Sequence, residues 1–204
     1  MLDAARLYAI TPDAEPDAVV RLVGAVLRGG ADIVQLRHKT LARGALLDLA
    51  GRLAAMVHDA GRLFIVNDHL DIALLAGADG VHLGADDLPL EAARRVAGEG
   101  FVIGASANTP ELARRAVAAG ADYIGAGPAF ATAVKPEKAV IGPQGVAAVT
   151  AAVAVPVFAI GGVEAANLDQ LLAAGVHRVC VIRGLAEAAD PEVAARRLRA
   201  ALAA

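Results

Sequence analysis

Short apolar runs alternate along the chain with longer segments in which alanine, leucine and arginine recur at helical spacing. The apolar runs have the length of buried strands, and the longer segments have the period of amphipathic helices. Eight strands are predicted: RLYAI (6–10), DIVQL (32–36), LFIVN (63–67), GVHLG (80–84), FVIGA (101–105), YIGAG (123–127), PVFAI (156–160) and RVCVI (178–182). Helices are predicted between and after them at 17–28, 43–60, 69–76, 90–97, 110–119, 143–152, 164–173 and 191–203.

Four helices are followed by a similar small-residue turn, written RGGADIV, LAGADGV, AAGADYI and AAGVHRV. A glycine at this point is a common left-handed cap of a helix, and its recurrence indicates a repeated βα unit. Eight such units close most economically into a single (β/α)8 TIM barrel, which is an α/β fold. A doubly wound open sheet is the alternative. No linker or composition shift divides the chain, so we expect one domain over residues 1–204.

Composition narrows the class of protein. Hydrophobic residues make up 57% of the 204 positions, which suits parallel strands buried on both faces. The net charge of −3 and the absence of a basic stripe argue against a nucleic-acid partner. The single cysteine, Cys180, cannot form an intramolecular disulfide. With no signal peptide or membrane-length apolar run, we expect a cytoplasmic protein without a membrane partner. Homo-oligomer formation is left open.

Polar residues or glycines follow nearly every predicted strand. Active sites of (β/α)8 barrels lie at the C-terminal ends of the strands, so these residues should share one rim. From strand two to strand eight they are Arg37 and Lys39, Asn67 and Asp68, Asp87, Ser106 and Asn108, Thr132 and Lys135, Gly161 and Gly162, and Arg183. Such convergence indicates a binding or catalytic site.

The stretch QLRHK predicts an anion site at the second strand. Gln35, Arg37 and Lys39 alternate with period two and are expected to point the same way along the strand. Arginine offers a planar fork and lysine a point charge, a combination that suits a phosphate or diphosphate. A surface ion-pair cluster is the alternative.

Two aspartates, Asp68 and Asp87, come just past the ends of strands three and four. Paired carboxylates beside a diphosphate commonly hold Mg²⁺, which also takes phosphate oxygens and waters as ligands. Each aspartate could instead cap the helix that follows it. As a pair they favour a metal site.

A second anion site is predicted at AIGGV, where two glycines end strand seven and precede a predicted helix. Backbone N–H groups in such a place bind a phosphate monoester, although a plain tight turn is the alternative. The loop GPAFATAVK after strand six carries Thr132 and Lys135, and Lys135 would add a third cation. Two anion sites across one barrel mouth fit transfer between a diphosphate ester and a phosphorylated acceptor.

Taken together, QLRHK, NDHLDIALLAGADGVHLGADD, IGASANT, ADYIGAGPAFATAVK and VFAIGGV resemble the thiamine phosphate synthase family, in order, from about Ile33 to Gly184. The resemblance implies an Mg²⁺-dependent transferase that joins a hydroxymethylpyrimidine diphosphate to a thiazole phosphate and releases pyrophosphate. It also implies a dissociative mechanism, in which a pyrimidine carbocation is captured by the thiazole nitrogen and no strong general base is needed.

The resemblance also implies a role for each site residue. The diphosphate would lie on Gln35, Arg37, Lys39, Asn67 and Lys135, and the Mg²⁺ ligands would be Asp68 and Asp87. Ser106 would lie against the pyrimidine, and the thiazole phosphate would meet Thr132, Gly162, Ile182 and Arg183. Of these residues, we expect Arg37, Lys39, Ser106 and Lys135 to act in catalysis.

Three positions depart from the family pattern. Val134 replaces a hydroxyl residue in the loop before Lys135, His38 replaces a glutamate, and Arg183 replaces a serine. The acceptor half of the site is therefore the more divergent half. Two other functions stay open. A thiazole tautomerase-like isomerase is disfavoured by Asn108, where such enzymes carry histidine, and by the paired aspartates. A non-catalytic relative that binds phosphorylated ligands is the other.

Overall fold

A computed structural model describes residues 1–132 and 139–203 of the chain. Within these ranges, eight parallel strands form a closed barrel in the order β1 to β8, which confirms the predicted (β/α)8 fold and rules out the open sheet. The strands are β1 Leu7–Ile10, β2 Ile33–Leu36, β3 Leu63–Asn67, β4 Gly80–Leu83, β5 Val102–Ser106, β6 Tyr123–Ala126, β7 Val157–Ala159 and β8 Val179–Val181.

Helices cover the outside of the barrel. They are α1 Pro16–Arg28, α2 Arg43–Asp59, α3 Leu70–Leu75, α4 Leu90–Ala97, α5 Pro110–Ala118, α6 Gly142–Ala152, α7 Leu168–Ala173, α8 Arg183–Ala186 and α9 Pro191–Ala201, with a 3₁₀ turn at Leu2–Ala4. Side-chain caps mark the starts of two helices: the Thr109 hydroxyl accepts from the Leu112 N–H before α5, and Asp190 accepts from the Val193 N–H before α9. In the described ranges, no helix is long and apolar enough to span a membrane.

Strand alternation divides the hydrophobic core into two parts. On β1, Leu7 and Ala9 pack outward against the helices, whereas Tyr8 and Ile10 point into the barrel. The outer layer is built mainly from Val, Ile, Leu and Ala. The interior carries Tyr8, Tyr123 and Phe158, whose rings meet at centroid distances of 5.5–5.8 Å and steep angles. These three large rings form part of the floor beneath the C-terminal rim.

Three of the repeated turns place a structural aspartate at the opposite, N-terminal rim. Asp32 accepts from the backbone N–H groups of Arg6 and Leu7, Asp79 from that of Phe64, and Asp122 from that of Ile103. Each carboxylate thus ties an even-numbered strand to the odd-numbered strand before it. Basic side chains complete each contact: Arg62 and Arg199 for Asp32, His58 for Asp79 and Arg94 for Asp122.

Candidate functional site

A cavity of about 620 Å³ opens at the C-terminal ends of the strands. Its walls include every predicted site residue that the structure describes: Gln35, Arg37, Lys39, Asn67, Asp68, Asp87, Ser106, Thr132, Gly162, Ile182 and Arg183. Lys135, the remaining predicted residue, and Val134 lie within 133–138 and so fall outside the described residues. The expected common rim is therefore present for the described set.

The cationic wall of the cavity begins on β2 and continues past it. Gln35 lies on the strand, but β2 ends at Leu36, so Arg37 and Lys39 belong to the following loop. The prediction that all three alternate along one strand was wrong for these two. The cause is a contact with the end of another strand: the Thr11 hydroxyl accepts from the Arg37 N–H at 3.0 Å and donates to the Arg37 carbonyl at 3.1 Å. These bonds tie the Arg37 backbone to a side chain after β1.

Asp13, which was not predicted, holds this loop in place. Its carboxylate lies 3.1 Å from Arg37 Nη1 and accepts the Lys39 backbone N–H at 2.5 Å. Partial burial acts to raise the pKa of Asp13, but the Lys39 N–H and the Arg37 guanidinium outweigh it and lower that pKa. Asp13 follows β1, so listing polar residues after the first strand as well as the later ones would have found it.

His38 connects the same two loops away from the cavity. Its Nε2 lies 2.9 Å from the Ala14 carbonyl, and its Nδ1 accepts the Leu41 N–H at 3.2 Å. The ring is nearly buried and is not among the residues that line the cavity. His38, one of the three departures from the family pattern, therefore packs between the loops and is not part of the cavity wall.

Asp68 has a strained backbone. Its φ of 64° is the one positive value at a non-glycine residue among those the structure describes. Its Oδ2 lies 3.2 Å from Lys39 Nζ, and α3 begins after His69 with no side-chain cap, so the capping alternative is wrong. A strained backbone persists only where the surrounding packing holds it in place, and in proteins such residues are concentrated at functional sites.

Asp87 closes the turn after β4. Its Oδ2 accepts the Gly84 N–H at 2.7 Å, and α4 begins at Leu90, after Pro89, without a side-chain cap, which rules out the capping alternative here too. β3 and β4 are paired neighbours, so Asp68 and Asp87 lie on adjoining parts of the cavity wall. Two carboxylates are hard oxygen donors that suit Mg²⁺. In the described ranges no group of three or more His, Cys, Asp or Glu side chains is placed to hold a metal.

The glycine loop after β7 has little room for side chains. Gly161 and Gly162 have φ values of 94° and 64°, and a Cβ on Gly162 would lie 2.4 Å from the Ala131 carbonyl. The predicted helix start at Glu164 was wrong, because α7 begins only at Leu168. Asn167 explains the delay: its side chain accepts the Glu164 N–H and donates to the Gly162 carbonyl, which closes the loop on itself.

The far wall carries Thr132, Ile182 and Arg183. Arg183 begins the short helix α8, which the sequence did not predict. Its Nε and Nη2 donate to the two carboxylate oxygens of Glu187 at 2.7 and 3.0 Å, and these bonds raise the pKa of Arg183. The guanidinium is thus paired on the rim and oriented by an i, i+4 partner.

A chain of hydrogen bonds crosses the cavity floor and was also not predicted. Gln35 Nε2 donates to the Tyr8 hydroxyl at 2.7 Å, and the Tyr8 and Tyr123 hydroxyls are 2.8 Å apart. Tyr123 lies 3.1 Å from His82 Nδ1, and His82 Nε2 lies 3.0 Å from Ser106 Oγ. Inward-facing polar residues at alternate strand positions were the signal that could have found this chain.

Comparison with known proteins supplies the family. The model of the family described as thiamine monophosphate synthase matches residues 7–185. The thiamine-phosphate synthase of Methanoculleus marisnigri is 49% identical over 86% of this chain and 84% of its own length. That of Thermosynechococcus vestitus is 43% identical over 97% of this chain but only 56% of its own length.

A solved structure agrees with these sequence relatives. The thiamine phosphate pyrophosphorylase from Pyrococcus furiosus superposes with a TM-score of 0.89 at 35% identity, over 98% of this chain and 96% of that one. This chain thus spans little more than half of some curated relatives and nearly all of this solved one. On the family match and these identities, the chain belongs to the thiamine monophosphate synthase family.

Proposed function

We propose that the chain is a thiamine phosphate synthase. It would transfer the hydroxymethylpyrimidine group from its diphosphate to thiazole phosphate, forming thiamine phosphate and pyrophosphate. The observation that carries the proposal is one cavity lined by a cation pair, two carboxylates and a glycine loop. This arrangement offers one place for a diphosphate and another for a monophosphate, and the family supports the same assignment.

The diphosphate would bind Arg37 and Lys39, with Gln35, Asn67 and Lys135 as its other proposed contacts. The bond between the pyrimidine methylene and the diphosphate oxygen breaks, and its electron pair leaves with pyrophosphate. Arg37 and Lys39 stabilise the charge that develops on the leaving group. Asp13 keeps both residues in place through the side chain of one and the backbone of the other.

Asp68 and Asp87 would hold Mg²⁺ at the diphosphate. When bound, the ion would neutralise charge on the departing pyrophosphate. Lys39 connects the proposed diphosphate and metal sites, because its Nζ pairs with Asp68 and the residue also lines the cavity. The ion pair thus places a cation for the diphosphate beside a carboxylate for the metal.

The acceptor would bind across the cavity. Its phosphate would meet Gly162, Thr132, the backbone at Ile182, and Arg183. The lone pair of the thiazole nitrogen then forms the new bond to the pyrimidine methylene carbon, a step that needs no proton transfer and therefore no general base. Arg183 reaches this phosphate from its pair with Glu187, which keeps the guanidinium on the rim.

The test is pyrophosphate release by the purified protein with Mg²⁺, the pyrimidine diphosphate and thiazole phosphate, each omitted in turn. The proposal predicts release only when all three are present. Release without thiazole phosphate would indicate a hydrolase instead. Binding of either phosphate without any release would indicate the non-catalytic relative, and Arg183 would then be the first residue to exchange for serine.

A further inference from the structure

The hydrogen-bonded chain across the cavity floor has one direction in which both buried hydroxyl protons are paired. An amide N–H of Gln35 can only donate, so the Tyr8 oxygen accepts there, and donation to Tyr123 is what keeps the fully buried Tyr8 proton from being left without a partner. The Tyr123 proton is then left for His82 Nδ1, which becomes an acceptor. A neutral imidazole with an acceptor at Nδ1 carries its proton on Nε2.

The last link places Ser106 at the end of this chain. Protonated Nε2 of His82 donates to Ser106 Oγ at 3.0 Å, so the serine oxygen is used as an acceptor. The serine hydroxyl proton is then available to a group in the cavity, whose wall Ser106 lines. We infer that Tyr8, Tyr123 and His82 are positioning residues that present Ser106 as a hydrogen-bond donor to the bound substrate.

The surroundings keep this chain rigid. Tyr8 and Tyr123 are fully buried and Gln35 is 3% exposed, so water does not compete for these links. Phe158 packs edge-on against both tyrosine rings. Gly104 leaves the space that Tyr123 fills, since a Cβ there would lie 2.0 Å from the Tyr123 ring carbon that carries the hydroxyl. Burial also raises the pKa of both tyrosines, so each keeps the proton that the chain needs.

A hydrogen-bond donor at Ser106 restricts the kind of ligand group that can lie next to it. A donor at this point selects a group with a lone pair, such as a ring nitrogen of an aromatic heterocycle, over a C–H or N–H group. Resting on the proposed function, we assign that acceptor to the pyrimidine ring of the diphosphate substrate. The diphosphate itself binds elsewhere on the wall, at Arg37 and Lys39, so the two contacts can be tested separately.

Nitrogen NMR of histidine-labelled protein tests the direction of the chain without any ligand. The His82 signals are assigned by their loss in His82→Gln. We expect Nε2 to be protonated and Nδ1 to be a hydrogen-bonded acceptor. Tyr123→Phe removes the donor to Nδ1 and should shift that resonance strongly. Tyr8→Phe, the matched control, leaves the Tyr123 donor in place and should shift it much less. A proton on Nδ1 in the wild type, or equal shifts in both variants, would overturn the inference.

Binding measurements test whether Ser106 donates a hydrogen bond to the substrate, with the pyrimidine diphosphate and inorganic pyrophosphate as probes. Tyr123→Phe and Ser106→Ala should each weaken binding of the pyrimidine diphosphate by about five- to tenfold, which is the contribution of one hydrogen bond. Pyrophosphate lacks the ring and should bind all variants alike. The double variant should lose no more than Ser106→Ala alone, because both changes remove the same contact. Additive losses, or equal losses for pyrophosphate, would overturn the inference.

The two experiments fail in distinguishable ways. A wild-type protein that binds pyrophosphate but not the pyrimidine diphosphate would refute the proposed function and with it the pyrimidine as the acceptor. The NMR result decides the direction of the chain in that case too, because it needs no substrate.

Discussion

Asp68 allows stability and function to be separated at one residue. Its left-handed backbone costs an L-amino acid about 1–2 kcal/mol, although aspartate tolerates it better than most. Glycine removes that cost but loses about 0.5–1 kcal/mol of chain entropy on folding. The lost ion pair with half-exposed Lys39 adds at most about 1 kcal/mol. We therefore expect Asp68→Gly to change the free energy of unfolding by no more than about 1 kcal/mol. Asp68→Ala should lose about 1 kcal/mol, because alanine keeps the strained backbone, tolerates it less well than aspartate and lacks the ion pair.

The two variants should differ in stability but lose catalytic activity to a similar extent. Both variants lack a carboxylate at the proposed metal and diphosphate site, so both should lose roughly 100-fold or more in turnover. Thermal unfolding and pyrophosphate release, measured on the same samples, compare the two effects. Asp71→Ala is the matched control, because Asp71 lies three residues on and pairs with Arg43 on the surface. Near wild-type turnover in Asp68→Gly would refute the functional assignment, and a loss of several kcal/mol would refute the strain argument.

Three further predictions concern the scaffold, the cation loop and the glycine loop. Asp32→Ala should lower the unfolding free energy in urea by about 2–4 kcal/mol, because buried N–H groups such as that of Leu7 lose their acceptor; Asp32→Asn should recover most of it, and equal loss in both would contradict this. Asp13 has a lowered pKa, so its stabilisation is present above the usual aspartate range near pH 4 and is lost as pH falls through the folded-state value. The stability gap between wild type and Asp13→Asn should therefore close in acid, and a gap independent of pH would show that the charge of Asp13 on the Lys39 N–H and Arg37 is not its cause. Gly162→Ala should weaken binding of thiazole phosphate more than binding of pyrophosphate in calorimetry, since its Cβ would meet a backbone carbonyl. Equal weakening would show that the glycine loop is not the thiazole phosphate site.

The barrel could be predicted from sequence because its signals are local and repeated. Apolar runs gave all eight strands, and the repeated turns before β2, β4, β6 and β8 contain the positive-φ glycines that were expected as helix caps. Short elements were harder to predict. α7 begins four residues later than predicted because Asn167 binds the preceding loop backbone, and the single turn of α8 has too few residues to show a helical period.

Site residues could be predicted where their position directly after a strand is enough to place them at the cavity. Residues after the strands line the cavity because all strand ends meet at one rim. Residues whose role depends on a distant partner were missed. Asp13 acts on Arg37 from another loop, and the contact of Tyr8 with Tyr123 joins positions 115 residues apart. A local pattern can mark each of these residues as facing the rim or the barrel interior, but which residues pair across the barrel is a property of the closed fold.

The most direct test of the central claim is the ratio of thiamine phosphate formed to pyrophosphate released in the same reaction. The proposed transfer predicts equal amounts at every time point with the wild-type protein, and neither product with Asp87→Ala. Pyrophosphate in excess of thiamine phosphate would mean that water captures the pyrimidine and that the acceptor wall has another ligand. Neither product from the wild type, with pyrophosphate still bound, would contradict the assignment of this cavity to synthesis.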